Sequence, residues 1–364
     1  MRIATDFAVT SRPICVGRAF RPSQLFAAGD LGLWFDPSDI ASLFQDSGGA
    51  TPITAAGQSV ARAADKSGGG LHASQATGSK RPIYGVAPAS GLRQRLRGTD
   101  TLSPAYWTQS RVTVTPLGGG VVQIVPGTTN DLHSCNQQNF TVWNDSEVFT
   151  CSFEVKVTDP DVFRFVRFDV RTKALTFPGA YVDLTTGSVT PSNAPIAATA
   201  VPLDDGWWRV RVTANAGTGS GLSSFSITAS TGNTYPSRTF ASDGVAALLV
   251  RKPQAETGAD LTAYQSATSQ YEVIEAGVLS LPYLYRDGVD DELAATLPAL
   301  SNATIAFASD QGVSVLTGQT IGAGAFDILR HQMLFGMIVI DRPLISHEAE
   351  STVNWLTIRA GAFA

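Results

Sequence analysis

Apolar and polar residues alternate with a period of two along much of this chain. The alternation is longest in the middle: Arg111-Val112-Thr113-Val114-Thr115, Gly120 to Val125, Phe149 to Val157, Val162 to Val170, Trp208-Arg209-Val210-Arg211-Val212 and Phe225-Ser226-Ile227-Thr228. Successive side chains of a strand point to opposite faces, so each run predicts a half-buried strand of an antiparallel sheet. Turn residues separate the runs at short, regular intervals, which favours a sandwich or jelly roll.

The flanks carry a different pattern. Leu31, Leu33 and Phe35 alternate with Gly32 and Trp34 in a strand that stops at Pro37; Ser38 or Asp39 then caps a short helix with Ile40, Leu43 and Phe44 on one face. Asp65 to Gln75 predicts a glycine-rich turn and a short polar strand. Near the other end Ala303 to Ala308 and Met333 to Ile340 read as buried strands, with few strands expected after Leu300. Ser346 predicts the cap of a C-terminal helix with Glu348 and Glu350 in its first turn, where carboxylates meet the positive helix end, and with Val353, Leu356 and Ala360 as its buried face. Residues 1–30 are too sparse in apolar positions to bury a core, and two readings stay open: an arm that docks onto another protein, or a first strand pair.

Composition narrows the function classes. A chain of 364 residues is long enough for two cores, and with only 16% of residues charged it suits short-turned β-structure and contacts between subunits. A formal charge of −5 without a basic block argues against a nucleic-acid partner. The one basic knot, Arg93-Gln94-Arg95-Leu96-Arg97, is expected to be a solvated or subunit-contacting linker. Cys15, Cys135 and Cys151 form no metal or redox motif; the latter two could pair, but buried free thiols are their expected state. The first residues lack the apolar core of a signal peptide, and nowhere do eighteen apolar residues run together, so no membrane insertion and synthesis in a cytoplasm are expected.

Trp34-Phe35-Asp36-Pro37-Ser38, the turn Asp65 to Ala73, Arg286-Asp287-Gly288-Val289-Asp290-Asp291, and Ile338 to Arg342 before the helix follow one another as in a known family. In order and residue type they resemble the concanavalin A-like, laminin-G-type sandwiches of phage and bacterial surface proteins. Gly69, Leu71 and Arg286 depart from that pattern. The second and third motifs stand far apart here, and the segment between them resembles the carbohydrate-binding-module-like jelly rolls of phage tail and fibre proteins, on Phe177 to Gly187, Asp205-Gly206-Trp207-Trp208-Arg209-Val210 and Gln254 to Gly258 before Tyr264. The expected fold is therefore all-β: two antiparallel sandwiches of jelly-roll type, one inserted in the other, with a short C-terminal helix. The expected domains are a docking arm at 1–30, a discontinuous outer domain at 31–90 and 271–364, and an inserted module at 91–270.

Candidate chemistry is sparse. Sugar cleavage needs two carboxyls flanking the bond, and no strand places carboxylates at alternate positions. Asp287, Asp290 and Asp291 lie in a turn with Gly288 among them; capping of turn amides is the leading reading, with a calcium site second and catalysis third. Exposed aromatic rings are the other route to sugars. Trp207 and Trp208 must point to opposite faces of a strand, and Tyr181, Trp143 and Trp208 are the candidate ligand-binding residues, each with core packing as the competing reading. The resemblances imply a non-enzymatic structural protein of a tailed phage or phage-like particle, a fibre, spike or tail component on the virion surface that binds host cell-surface polysaccharide. Its partners would be other virion proteins through the arm and copies of itself, most simply a trimer. A ligand-free decoration or adaptor protein is the alternative, and a depolymerising glycosidase the third reading.

Overall fold

The computed structural model describes residues 20–26, 29–138 and 143–364, so Cys15 and most of the proposed arm at 1–30 lie outside the described residues. The protein is all-β, with strands forming 45% of it and, among the described residues, one α-helix, Ser346–Ala360, at the C-terminal end.

Two six-stranded sheets are built from the alternating middle of the sequence. One runs Val189–Ser192, Gly179–Asp183, Phe165–Arg171, Ser224–Ser230, Ser134–Gln138, Trp107–Ser110; the other Ala197–Pro202, Trp208–Asn215, Val148–Val157, Leu248–Thr257, Val121–Pro126, Val112–Gly118. All their pairings are antiparallel. Phe149, Cys151, Phe153 and Val155 of one sheet meet Val166, Phe168, Phe225 and Ile227 of the other in a single buried core. Cys135 and Cys151 are free thiols in that core, and burial pushes the Cys135 thiol up to about 12, which leaves it without the thiolate that redox or metal chemistry needs.

Asp131–Leu132 and Thr239–Phe240 pair as a small two-stranded sheet, and the strands from Gly32–Pro88 and Gln265–Ile340 form an eight-stranded and a five-stranded sheet. Gln265–Ser269, on the inserted side of the expected boundary at 270, hydrogen-bonds to Glu272–Glu275 at the edge of the eight-stranded sheet. The eight-stranded sheet is covered on both faces. Leu33, Phe35, Leu334 and Val339 pack towards the five-stranded sheet, while Trp34, Phe335, Ile338 and Ile340 pack against Leu356 and Ala360 of the helix. This double cover explains why Met333–Ile340 is buried throughout.

Several local expectations need correction: Leu43–Phe44 is a strand following a 3₁₀ turn at Ile40–Ser42, and the C-terminal helix is capped at Ile345, with Ser346 its first residue. After Leu300 there are four strands rather than few, namely Leu300–Ser309, Gly312–Ile321, Gly324–Asp327 and Met333–Ile340; the polar alternation of Gly312–Ile321 disguised a strand with one wet face. On the helix Thr352 is buried and Val353 exposed, because Thr352, Leu356 and Ala360 share the inward face at spacings of four; Glu348 reaches back to the Ile345 N–H and binds Arg342. The basic knot is no solvated linker. Arg93 pairs with Glu275, Leu96 joins the inner core, and Gln94 is buried between the two sandwiches. Among the described residues no helix is long and apolar enough to cross a membrane.

Candidate functional site

A cleft of about 620 Å³ opens on the outward face of the sheet containing Phe165–Arg171 and Gly179–Asp183. Strand alternation builds its floor. Val166, Phe168, Ala180 and Val182 point into the core, so Arg167, Asp169 and Tyr181 must point out of it. Arg167 and Tyr181 are register partners across the two strands, and the guanidinium lies over the phenol ring 4.6 Å from its centroid.

Loops make the walls. On one side Phe177 stands beside Asn193, whose Nδ2 donates to the Phe177 carbonyl at 2.9 Å. On the other a 3₁₀ turn, Tyr235–Arg238, carries the 73% exposed ring of Tyr235, with the Arg238 guanidinium 4.1 Å from its centroid. Hydrogen bonds from the Thr231 amide and hydroxyl to the Ser237 carbonyl, at 3.0 and 3.2 Å, fix this turn against its hairpin. The aromatic groups are therefore presented by loops tied down before any ligand arrives.

The electrostatics of the floor are set by one buried ion pair. Arg167 donates from Nε to Asp169 Oδ2 at 2.7 Å and from a terminal nitrogen to Oδ1, a bidentate fork. Burial pushes the Asp169 carboxyl upward, opposed by Arg167 and then Arg238, whose nearest nitrogen is 3.8 Å from Oδ2. Two donors are left over among the described residues: the Tyr181 O–H, whose neighbour Arg167 can only donate, and Arg238 Nε are buried without an acceptor.

Of the sequence candidates, Tyr181 lies in this floor and the two tryptophans do not. Trp143 is 1% exposed and stacks on Phe149 at 4.5 Å and 7°, so it has no free face for a sugar. Trp208 shares the inward parity of Val210 and Val212, and its Nε1 donates to the Leu184 carbonyl at 2.7 Å. Trp207 takes the outward parity, yet Arg251 covers its ring at 4.2 Å. Trp208 is held by Gly187, which has φ +74°; a Cβ there would fall 2.3 Å from the indole. Gly187→Ala is expected to cost roughly 2 kcal/mol, from overpacking and a left-handed backbone, and circular-dichroism melts would read it.

The carboxylates of Asp287, Asp290 and Asp291 converge within 4.8 Å of one another. Asp291 Oδ2 accepts the Asp287 amide at 2.9 Å and Asp287 Oδ1 accepts the Val289 amide at 2.8 Å, which is turn capping. Burial, and then the neighbouring negative charges, push the Asp291 carboxyl upward, the environment a divalent cation would relieve.

Sequence reading missed Tyr235, Arg238 and the role of Phe177. The available signal was Asn233-Thr234-Tyr235-Pro236-Ser237-Arg238, an aromatic ring in turn-forming text between two strands with no apolar neighbour to bury it.

No family model matches the chain, and no curated protein does. Among solved structures it is similar to the agarase AgWH50C, at 11% identity and a TM-score of 0.29 over 46% of this chain and 26% of that one. It is also similar to the tandem CBM22-1–CBM22-2 domain of Paenibacillus barcinonensis Xyn10C, at 13% identity and a TM-score of 0.30 over 71% of this chain and 93% of that one. The chain thus spans about a quarter of the agarase, and overlaps this loose carry no argument about activity.

Proposed function

We propose that the inserted sandwich is a glycan-binding module and that the Tyr181–Tyr235 cleft is its site. The observation that carries this reading is the cleft's construction: a polar, charged floor of Arg167, Asp169 and Tyr181 between walls bearing the exposed rings of Phe177 and Tyr235. Aromatic faces take the apolar side of a pyranose, and nearby polar groups orient its hydroxyls. Binding is favoured over cleavage because glycoside hydrolysis takes two carboxyl groups, and the cleft lining holds only Asp169, already engaged by Arg167.

Display on a phage or phage-like particle is the setting that the sequence resemblance supports. Residues 1–30 would anchor the chain to other virion proteins, and a homo-oligomer, most simply a trimer, would raise the avidity of weak sugar contacts. Binding of the purified chain to intact host cells, before and after periodate oxidation of their surface sugars, tests the module. Tyr235→Ala is expected to weaken that binding at least about tenfold, the cost of truncating a central aromatic anchor, without moving the melting temperature of so exposed a residue. Full binding after oxidation, or by Tyr235→Ala, would overturn the assignment.

A further inference from the structure

We propose that the cleft selects acidic glycans, seating a sugar oxyanion against Arg238 and Tyr181. The inference rests on the glycan-binding reading above and goes beyond it to the chemical class of the ligand. Among the ionisable side chains lining the cleft, two guanidiniums, of Arg167 and Arg238, face one carboxylate, of Asp169. Asp169 is already spent on Arg167: both its oxygens accept from that guanidinium, whereas Arg238 approaches no closer than 3.8 Å, beyond hydrogen-bond distance. The positive charge left over is Arg238's.

The unmatched hydrogen-bonding groups agree with the charge. Tyr181 is 4% exposed and among the described residues its O–H meets no acceptor, the neighbouring Arg167 guanidinium being a donor only; Arg238 Nε is likewise buried without an acceptor. Both lie in the lining, and a buried donor left without an acceptor is a free-energy cost that bound ligand can remove. A neutral hydroxyl would accept only by bringing a proton that needs an acceptor of its own. A carboxylate or sulfate ester is acceptor-only, takes several donors at once and neutralises the guanidinium. Tyr235 places an aromatic face beside Arg238, so one acidic pyranose would stack on the ring and present its oxyanion to the adjacent cation.

Equilibrium binding of the full chain to polygalacturonate, to the same polymer with its carboxyls reduced to alcohols, and to dextran sulfate tests the idea. The formal charge of the chain is −5, so nonspecific electrostatics disfavour both polyanions and a preference for them reports the site. At least about tenfold tighter binding to an acidic polymer than to the reduced one is expected, and whichever acid binds better identifies the oxyanion as carboxylate or sulfate. Arg238→Gln should remove that preference, so that the acidic and reduced polymers bind the variant with equal affinity. Equal affinity for all three polymers would overturn acid selection while leaving glycan binding in place; binding of none would overturn both; an acid preference that survived Arg238→Gln would overturn the seat assigned here. The polymer comparison uses the unaltered chain, so it decides even if the variant folds poorly.

Discussion

Gln265→Leu is expected to destabilise the protein by on the order of 4 kcal/mol, because one buried side chain satisfies four buried or half-buried groups where the chain crosses between sandwiches. Gln265 is fully buried. Its Oε1 accepts the amides of Arg93 and Gln94 at 2.9 and 3.1 Å, and its Nε2 donates to the Gly91 carbonyl at 2.8 Å and to Glu275 at 3.0 Å. Leucine keeps most of the volume and none of these bonds, and each orphaned group costs about 1–3 kcal/mol before the site relaxes. The melting temperature of the affected unit should fall by roughly 10 °C, at about 2–4 °C per kcal/mol for a unit of this size. A fall below about 2 °C would show that water or a shifted backbone replaces the glutamine, and the crossing would then not be a rigid joint.

Gln94 is its counterpart. Its Nε2 donates to the carbonyls of Pro253 and Gln265, both at 2.9 Å, and its Oε1 accepts the amides of Leu96 and Ala255, both at 3.1 Å. Further along, Thr99 bonds the Ala267 amide, and the Tyr264 hydroxyl reaches Thr99 and Asp100 at 2.8 and 2.7 Å. The two crossings are zipped side by side, so the cleft-bearing module is held to the outer sandwich by backbone-directed bonds rather than by a loose linker. Because each of Gln94 and Gln265 bonds the other's backbone with its side chain, their substitutions should be less than additive in a double-mutant cycle.

How much of this was legible depends on whether a local pattern determined it. Phe149 to Val157 alternates because one face of that strand is core, and the same parity gives Trp208 to the interior and Arg209 to the exterior. Parity says which face a residue takes, not what covers it. Choosing Trp208 over its neighbour as a platform failed for that reason, and Trp143 failed because turn-rich surroundings do not reveal a ring stacked on Phe149. Gln94 and Gln265 stand 171 positions apart, so their joint role has no short-range signature. The cleft is an intermediate case. Its floor follows from alternation, while its walls come from loops whose meeting is a matter of topology.

The same outward parity predicts the second large effect. Glu154 is 2% exposed, and its carboxylate receives Arg209 and Arg251 at hydrogen-bond distance and Lys252 at 3.2 Å. Burial alone would raise its pKa from the ordinary 4.5; the hydrogen bonds from Arg209 and Arg251, with the Arg209 charge, outweigh burial and hold it below that value. Glu154→Gln keeps the shape but leaves three partly exposed cations without their buried counter-charge, a loss of about 2–3 kcal/mol once solvent at the cations is allowed for. The sign in pH follows from the lowered folded value. The stabilisation is fully present above the unfolded pKa of 4.5 and is lost as pH falls through the folded one, because the unfolded chain then binds the proton more readily. Urea unfolding of the parent and of Glu154→Gln at pH 7 should therefore differ by about 2–3 kcal/mol, and the two curves should converge as the acid limb is entered. A constant gap from pH 7 to pH 3 would mean that Glu154 contributes through packing, and its array of cations would then be a consequence of the fold instead of one of its supports.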